Sequence, residues 1–310
     1  MKNIYDLFKI SLLSIFVTFL SVSCSKDDNK VTPPTTQSST TTATTTSTTT
    51  ATTEEFVAKW SRLEVRFTKG HSHGYFHGNP DYPVKYLKTV QRFYFENKNG
   101  VITPANDNPT AIRWEGSNDQ AGVSLSGIEL IFYDKEGKRI NSLLTTGQAP
   151  NHYQFFFIAD NFTAVASNTT VPTQAEALQY KYRDTNPEEL YIKGGAGIDK
   201  NPNAPKGVLR QEQIGLKGFF EVKRTYINFD LRIVLGYFSS KPADLAYNTV
   251  PNNKILDVKI PIHIYTDILK EYKQVEDAMR EFGVSQEEIE KDQSDILASN
   301  LSPESSGTFL

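Results

Sequence analysis

The amino-acid sequence predicts a mostly β chain: an antiparallel β-sandwich, one large or two small, with a helix only at the C-terminal end. Three observations carry this. From Lys59 onward apolar residues recur with a period of two. Polar, glycine-containing turns separate the alternating runs. A period near 3.6 emerges only after residue 266.

Taken in order, Leu63, Val65 and Phe67 alternate with Arg62, Glu64 and Arg66, the pattern of a half-buried strand. Further strands are expected over 88–97, 125–133, 153–158, 177–183 and 214–223. Asp134-Lys135-Glu136-Gly137-Lys138 reads as a tight hairpin turn, with Gly137 free to take positive φ. Ile227, Phe229, Leu231 and Ile233 alternate with polar residues, as do Leu256, Val258, Ile260, Ile262 and Ile264. Pro261 within the second run predicts an edge strand or a bulge. Ile268, Tyr272, Val275, Met279 and Phe282 form one helical face, Gly283 suits the helix C′ position, and Ser285–Glu288 resembles a capping box.

Composition excludes several classes of function. The 310 residues carry 33 Lys+Arg against 36 Asp+Glu, for a net charge of −3. The acidic excess sits in residues 271–310, and the central body has no basic run. Nucleic acid needs a basic stripe, so DNA and RNA are not expected partners. The one cysteine, Cys24, rules out an intrachain disulfide and any cysteine-based zinc or iron–sulfur site.

Cys24 has a different role suggested by its position. Lys2 and Lys9 precede the stretch 10–22, which is apolar or small throughout; that is short for a membrane span and suits the hydrophobic region of a secretion signal. Leu20-Ser21-Val22-Ser23-Cys24 resembles a bacterial lipobox, although the leucine stands four rather than three positions before the cysteine. Residues 1–23 are therefore expected to be a signal peptide and Cys24 the lipidated first residue of the mature chain. Ser25-Lys26-Asp27-Asp28 resembles the acidic signal that exports Bacteroidetes lipoproteins to the outer face of the outer membrane. Residues 31–53 contain fourteen Thr in 23 positions and almost nothing apolar. Such a segment cannot offset the entropy of ordering, so 24–53 is expected to be a lipid-anchored, disordered tether spanning on the order of 25–30 Å. Residues 54–265 then form the β body and 266–310 a helical acidic segment.

Within the body the most pointed chemistry is Gly70-His71-Ser72-His73-Gly74-Tyr75-Phe76-His77-Gly78, which holds three of the five histidines. On an extended strand His71 and His73 share a face with Cβ atoms roughly 7 Å apart, close enough to converge on one ion. His77 supplies a third nitrogen if the loop curls back, and Tyr75, Asp81, Tyr82, His152 and His263 are available to complete the shell. Neutral imidazole suits iron, zinc or copper, and the flanking glycines leave room for a haem edge or a partner. The same stretch contains Gly-x-Ser-x-Gly around Ser72, the pattern of a hydrolase elbow. That elbow needs a following helix, which Tyr75–Pro80 is ill suited to start. Trp60 and Trp114 are expected in the core rather than as glycan platforms, and Gly194–Gly197 reads as a loop with no phosphate-binding lysine.

These residues resemble those of Bacteroidetes surface lipoproteins with a Gly-His-x-His-Gly loop, linked to TonB-dependent receptors and to capture of iron, haem or metal, including the transferrin-iron-capture type. The matching segments are Gly70–Gly78, Tyr86-Leu87, Asn151-His152 with Phe155–Phe157, Tyr182–Thr185, Ile214–Phe220 and Phe229–Leu231. Some relatives carry a histidine where this chain reads Val234-Leu235-Gly236-Tyr237, which makes His152 the preferred fourth ligand here. The resemblance implies a non-enzymatic surface protein that takes a metal ion or haem, including from a host carrier protein, and passes it to a TonB-dependent outer-membrane transporter. The membrane would be met only through the N-terminal lipid. The competing expectations are a glycan-binding lipoprotein of a polysaccharide import system and a His-ligated metalloenzyme.

Overall fold

The computed structural model describes residues 56–72, 76–78, 90–116, 124–164, 170–192, 205–266, 279 and 285–287. The expected signal peptide, Cys24, tether, His73, Gly194–Gly197 and almost all of the C-terminal helix lie outside these residues.

The first alternating run becomes β1 (Arg62–Ser72). It lies between β3 (Val90–Lys98) and β6 (Leu125–Tyr133), antiparallel to both. β4 (Val101–Pro104) extends the sheet beyond β3, while β11 (Lys217–Val222) and β8 (Leu178–Tyr182) extend it beyond β6. A short β2 (Phe76–Gly78) pairs with the end of β1 past the last β3 partner, completing seven strands. The second sheet runs β5 (Ile112–Gly116), β13 (Lys254–Thr266), β12 (Ile227–Tyr237), β7 (Tyr153–Ala164). Its β5–β13 pair is parallel, whereas the other pairings among the described strands are antiparallel. A two-stranded ribbon joins β9 (Thr185–Asn186) to β10 (Val208–Leu209).

Alternation determines which face each sheet buries. Leu63, Val65 and Phe67 stand in register with Phe132, Leu130 and Ile128 and point into one core. Leu231, Ile233 and Leu235 of β12 meet it from the other sheet. Aromatic rings bridge the layers: Phe132 to Phe155 at 6.1 Å, Trp114 to Phe220 at 4.9 Å, Phe67 to Trp114 at 5.8 Å. The architecture is thus a mostly antiparallel β-sandwich around one main core. Trp60 and Trp114 are buried in it, as expected, so neither offers a platform to a glycan.

Two local expectations can be checked closely. The turn after β6 forms as read: Gly137 has φ 78°, and the Asp134 carboxylate accepts from the Glu136 and Lys138 amides at 3.1 and 2.8 Å. Pro261 is corrected. It lies in β13, an interior strand, with no register shift at that residue. Its position opposite Asp230 comes one residue before the β5 pairing begins at Ile262, so the flank that would need its missing N–H is unpaired there.

Candidate functional site

Two places in the fold gather polar chemistry, at opposite ends of β1. The first is the histidine hairpin. β1 and β2 pair Gly70 with Gly78, His71 with His77 and Ser72 with Phe76. The sequence reading left open whether the chain curls back; it does, and the two histidines become cross-strand partners. Directly opposed positions on an antiparallel ladder belong to one face, with Cβ atoms about 4.5–5.5 Å apart. Phe76 anchors the hairpin. Its ring is fully buried, stacks on Phe219 at 5.5 Å, and lies over Gly127, where a Cβ would come within 2.7 Å of it. Glycine at 127 is therefore what lets β2 lie down on the sheet. The next described element after Ser72 is the strand β2, not the helix that a hydrolase elbow needs.

Beside the hairpin the outward face of the seven-stranded sheet carries a ladder of charge. Arg92, Arg66, Glu129 and Lys217 stand in register across β3, β1, β6 and β11. The Glu64 carboxylate accepts from Arg66 Nε at 3.0 Å, Arg92 Nε at 3.1 Å and the Tyr133 hydroxyl at 3.0 Å. Glu129 accepts from Arg139 at 3.1 Å and the Tyr191 hydroxyl at 2.6 Å. Arg139 also clamps Glu188, to which Asn141 donates at 2.7 Å. Lys217 donates to the Thr185 hydroxyl at 3.0 Å and to the carbonyls of Leu190, at 2.8 Å, and Glu188. Glu64, Glu129 and Lys217 are buried. The alternation in β1 suggests an open polar face, yet residues 184–191 cover it and are held down by these contacts.

Electrostatics follow from that burial. Desolvation alone would raise the Glu129 carboxyl, but Lys217, Arg139, Arg66 and the Tyr191 hydroxyl outweigh it and hold the group below the ordinary carboxylate range. Burial lowers the Lys217 ammonium against the pull of Glu129 and Glu188. Burial, with the Glu64 charge and hydrogen bond, pushes the Tyr133 phenol up to about 12. Asp184 receives the amides of Ile214 and Gly215, each at 2.7 Å, and of Lys217 at 3.0 Å. Burial still carries its carboxyl upward.

The second place is a cleft of about 670 Å³ at the other end of the sandwich. His152 lines it. Its Nδ1 lies 2.8 Å from the Phe238 carbonyl and its ring stacks on Tyr237 at 5.6 Å. A carbonyl only accepts, so Nδ1 carries the hydrogen and Nε2 is left as an acceptor. This corrects the expected fourth ligand. His152 adjoins Tyr153, whose ring is 6.2 Å from Phe56, and Phe155 meets Phe132, the partner of Leu63. Leu63 and His71 are eight residues apart along β1, about 26 Å at strand rise. His152 therefore does not join His71 and His77. His263 sits on the interior strand β13, opposite Arg113 of β5, where burial first and the Arg113 charge second lower its pKa. Among the described residues no three or more His, Cys, Asp or Glu gather closely enough to hold a metal ion.

Lys241 reaches into the same cleft and donates to the Gln213 carbonyl at 2.8 Å and the Tyr153 carbonyl at 3.3 Å. Burial lowers its ammonium to about 8, against the opposing charges of Asp184 and Glu212. The sequence reading missed this site. Its only local signals are the polar runs Gln211-Glu212-Gln213 and Ser239-Ser240-Lys241, which are some 30 residues apart and meet only through the fold.

No protein-family model matches the chain, and no curated protein matches it. Among solved structures, a family 123 glycoside hydrolase from Clostridium perfringens is similar at 8% identity and a TM-score of 0.24. That likeness covers 62% of this chain and 31% of the other, so the chain spans about a third of that protein's length. Domains 4 and 5 of the S-layer protein SbsC are similar at 9% identity and a TM-score of 0.19, over 65% of this chain and 76% of that one. Neither likeness bears on the chemistry of this chain.

Proposed function

We propose that the protein is a surface-anchored binding lipoprotein, not an enzyme, that captures a metal ion (iron, zinc or copper) or haem through the β1–β2 hairpin. It would hand that cargo to a TonB-dependent outer-membrane transporter, with a host carrier protein as a source. The observation that carries the reading is the register that sets His71 opposite His77, with His73 lying between them in the sequence. Opposed register positions for His71 and His77, with His73 between them in sequence, would supply imidazole nitrogens, the donor type a first-row metal accepts. Lipidation at Cys24 and a Thr-rich tether would hold the body near its transporter and raise the local cargo concentration, offsetting a modest intrinsic affinity. His152 is not part of this ligand set.

Calorimetric titration with zinc, copper, iron and haemin tests the reading on the wild-type chain and on a His71→Ala/His73→Ala/His77→Ala variant. Saturable binding lost in the variant, and weakened below roughly pH 5–6 where imidazole protonates, is the expected outcome. Equal binding by the two proteins would overturn it.

A further inference from the structure

The cleft at the His152 end is a second binding site, and we infer that it takes a neutral saccharide. The inference does not rest on the metal reading, since the two places share no residue. The cleft volume of about 670 Å³ falls within the range of small-molecule sites, roughly 300–1,000 Å³. The character of its walls, not its size, decides the class of ligand.

Carboxamides and hydroxyls dominate the lining, and several are already committed to the protein. Gln213 accepts from the Asp184 amide at 3.0 Å and donates to the Arg210 carbonyl. Asn151 donates to Gln148 at 2.9 Å, and the Tyr182 hydroxyl donates to the Phe155 carbonyl at 2.7 Å. These bonds fix the walls. They leave unused acceptor capacity on the Asn151 oxygen and on His152 Nε2, both of residues that line the cleft. By contrast, the side chains of Gln211, Ser239 and Ser240 make no hydrogen bond to any described residue, and Glu212 has none beyond its charge interaction with Lys241. An uncommitted carboxylate, a carboxamide and two hydroxyls on a fixed frame can each answer a group that both donates and accepts. The sugar hydroxyl is such a group.

Charge excludes the alternatives. Lys241, the one Lys or Arg in the described lining, is engaged by the Gln213 and Tyr153 carbonyls at 2.8 and 3.3 Å, and Glu212 lines the same cleft, so a phosphate or sulfate finds no uncommitted ammonium there. An anion in the cleft would also share its lining with the Glu212 carboxylate. Pro242, Ala243 and Leu245 add apolar lining, which suits the C–H face of a pyranose.

The test is saturation-transfer NMR followed by calorimetry on the full chain. The probes are glucose, galactose, mannose, N-acetylglucosamine and their disaccharides, with inorganic phosphate and glucuronate as charged comparators. At least one neutral sugar should bind saturably and outcompete both anions. Gln211→Ala/Glu212→Ala should weaken it roughly tenfold, because two side-chain hydrogen bonds are lost. These side chains have no hydrogen-bond partner among the described residues, so the melting temperature should stay put, and Ser239→Ala/Ser240→Ala gives a second, independent reading. His71→Ala/His77→Ala should bind the sugar as wild type does. Binding of no neutral sugar, preference for either anion, or sugar binding that neither cleft variant changes would overturn the assignment.

Discussion

Replacing Phe76 with alanine should open the histidine hairpin while leaving the sandwich folded. The ring is fully buried, yet it belongs to a small cluster with Leu125 and Phe219 rather than to the main core. β2 is otherwise held to β1 by only three residue pairs. Burying a phenylalanine is worth about 1.5–3 kcal/mol, and a stacked partner adds about 0.5–1.5 kcal/mol. Losing about 3 kcal/mol from so short an element shifts its local opening equilibrium on the order of a hundredfold. The main core keeps Leu63, Val65 and Phe67 in place, so global stability should fall by much less than that amount. Hydrogen–deuterium exchange of the peptide covering residues 70–78 measures the first quantity and denaturant unfolding the second. Gly127→Ala should reproduce the effect from beneath, since the added methyl occupies the space of the Phe76 ring. Unchanged protection in 70–78 with the full loss appearing in global unfolding would refute the reasoning, because Phe76 would then be acting as a core residue.

Three further outcomes are expected. Lys217→Met strands the carbonyls of Glu188 and Leu190 and removes a cation from Glu129, so thermal unfolding should report a loss of about 3–5 kcal/mol; a loss near zero would contradict the buried ladder. The Glu129 carboxyl titrates below its ordinary 4.5 in the folded chain, so its contribution is complete above that pH and disappears as pH falls through the lower folded value. Glu129→Gln should flatten the acid limb of the stability curve, and an unchanged limb would place the acid sensitivity elsewhere. The Lys241 ammonium is lowered from 10.5 to about 8 on folding, so between those values the unfolded chain binds more protons and stability from this group rises with pH. Lys241→Met should remove that rise in urea titrations at pH 8 and 10, and a rise that persists in the variant would show that another group produces it.

The strands that could be read from the sequence are those whose apolar residues all face one core. Leu63-Val65-Phe67, Ile227 to Ile233 and Leu256 to Ile264 each alternate cleanly, and each lies where the alternation places it. β5 was not legible, because five residues pairing parallel to a strand some 150 positions later leave little local pattern. The polar side of β1 was visible as charge but not as buried charge, since the cover at residues 184–191 arrives more than a hundred residues later. Tyr182–Thr185 and Ile214–Phe220 are separate segments of the sequence, and that the Asp184 carboxylate joins one to the amides of the other is visible only in space. The histidine cluster was legible as composition, and its register was not. A sequence gives no sign of which end of a strand a distant residue will adjoin, which is why His152 was grouped with the wrong end.

β1 also determines how the body is held. Residues 56–60 pack at the His152 end, where Phe56 and Trp60 both touch Phe132, and the strand then carries the chain the length of the sheet. The two ends of the molecule are therefore unequal in freedom. Anything that grips the chain ahead of residue 56 grips the cleft end. Held from there, the hairpin would be the distal tip, about 26 Å farther out along β1, and a body swinging about that hold would carry it through the wider arc. Under the proposed N-terminal anchoring, a partner reaching in from the surroundings would meet the histidines first, and one seated beside the anchor would meet the cleft.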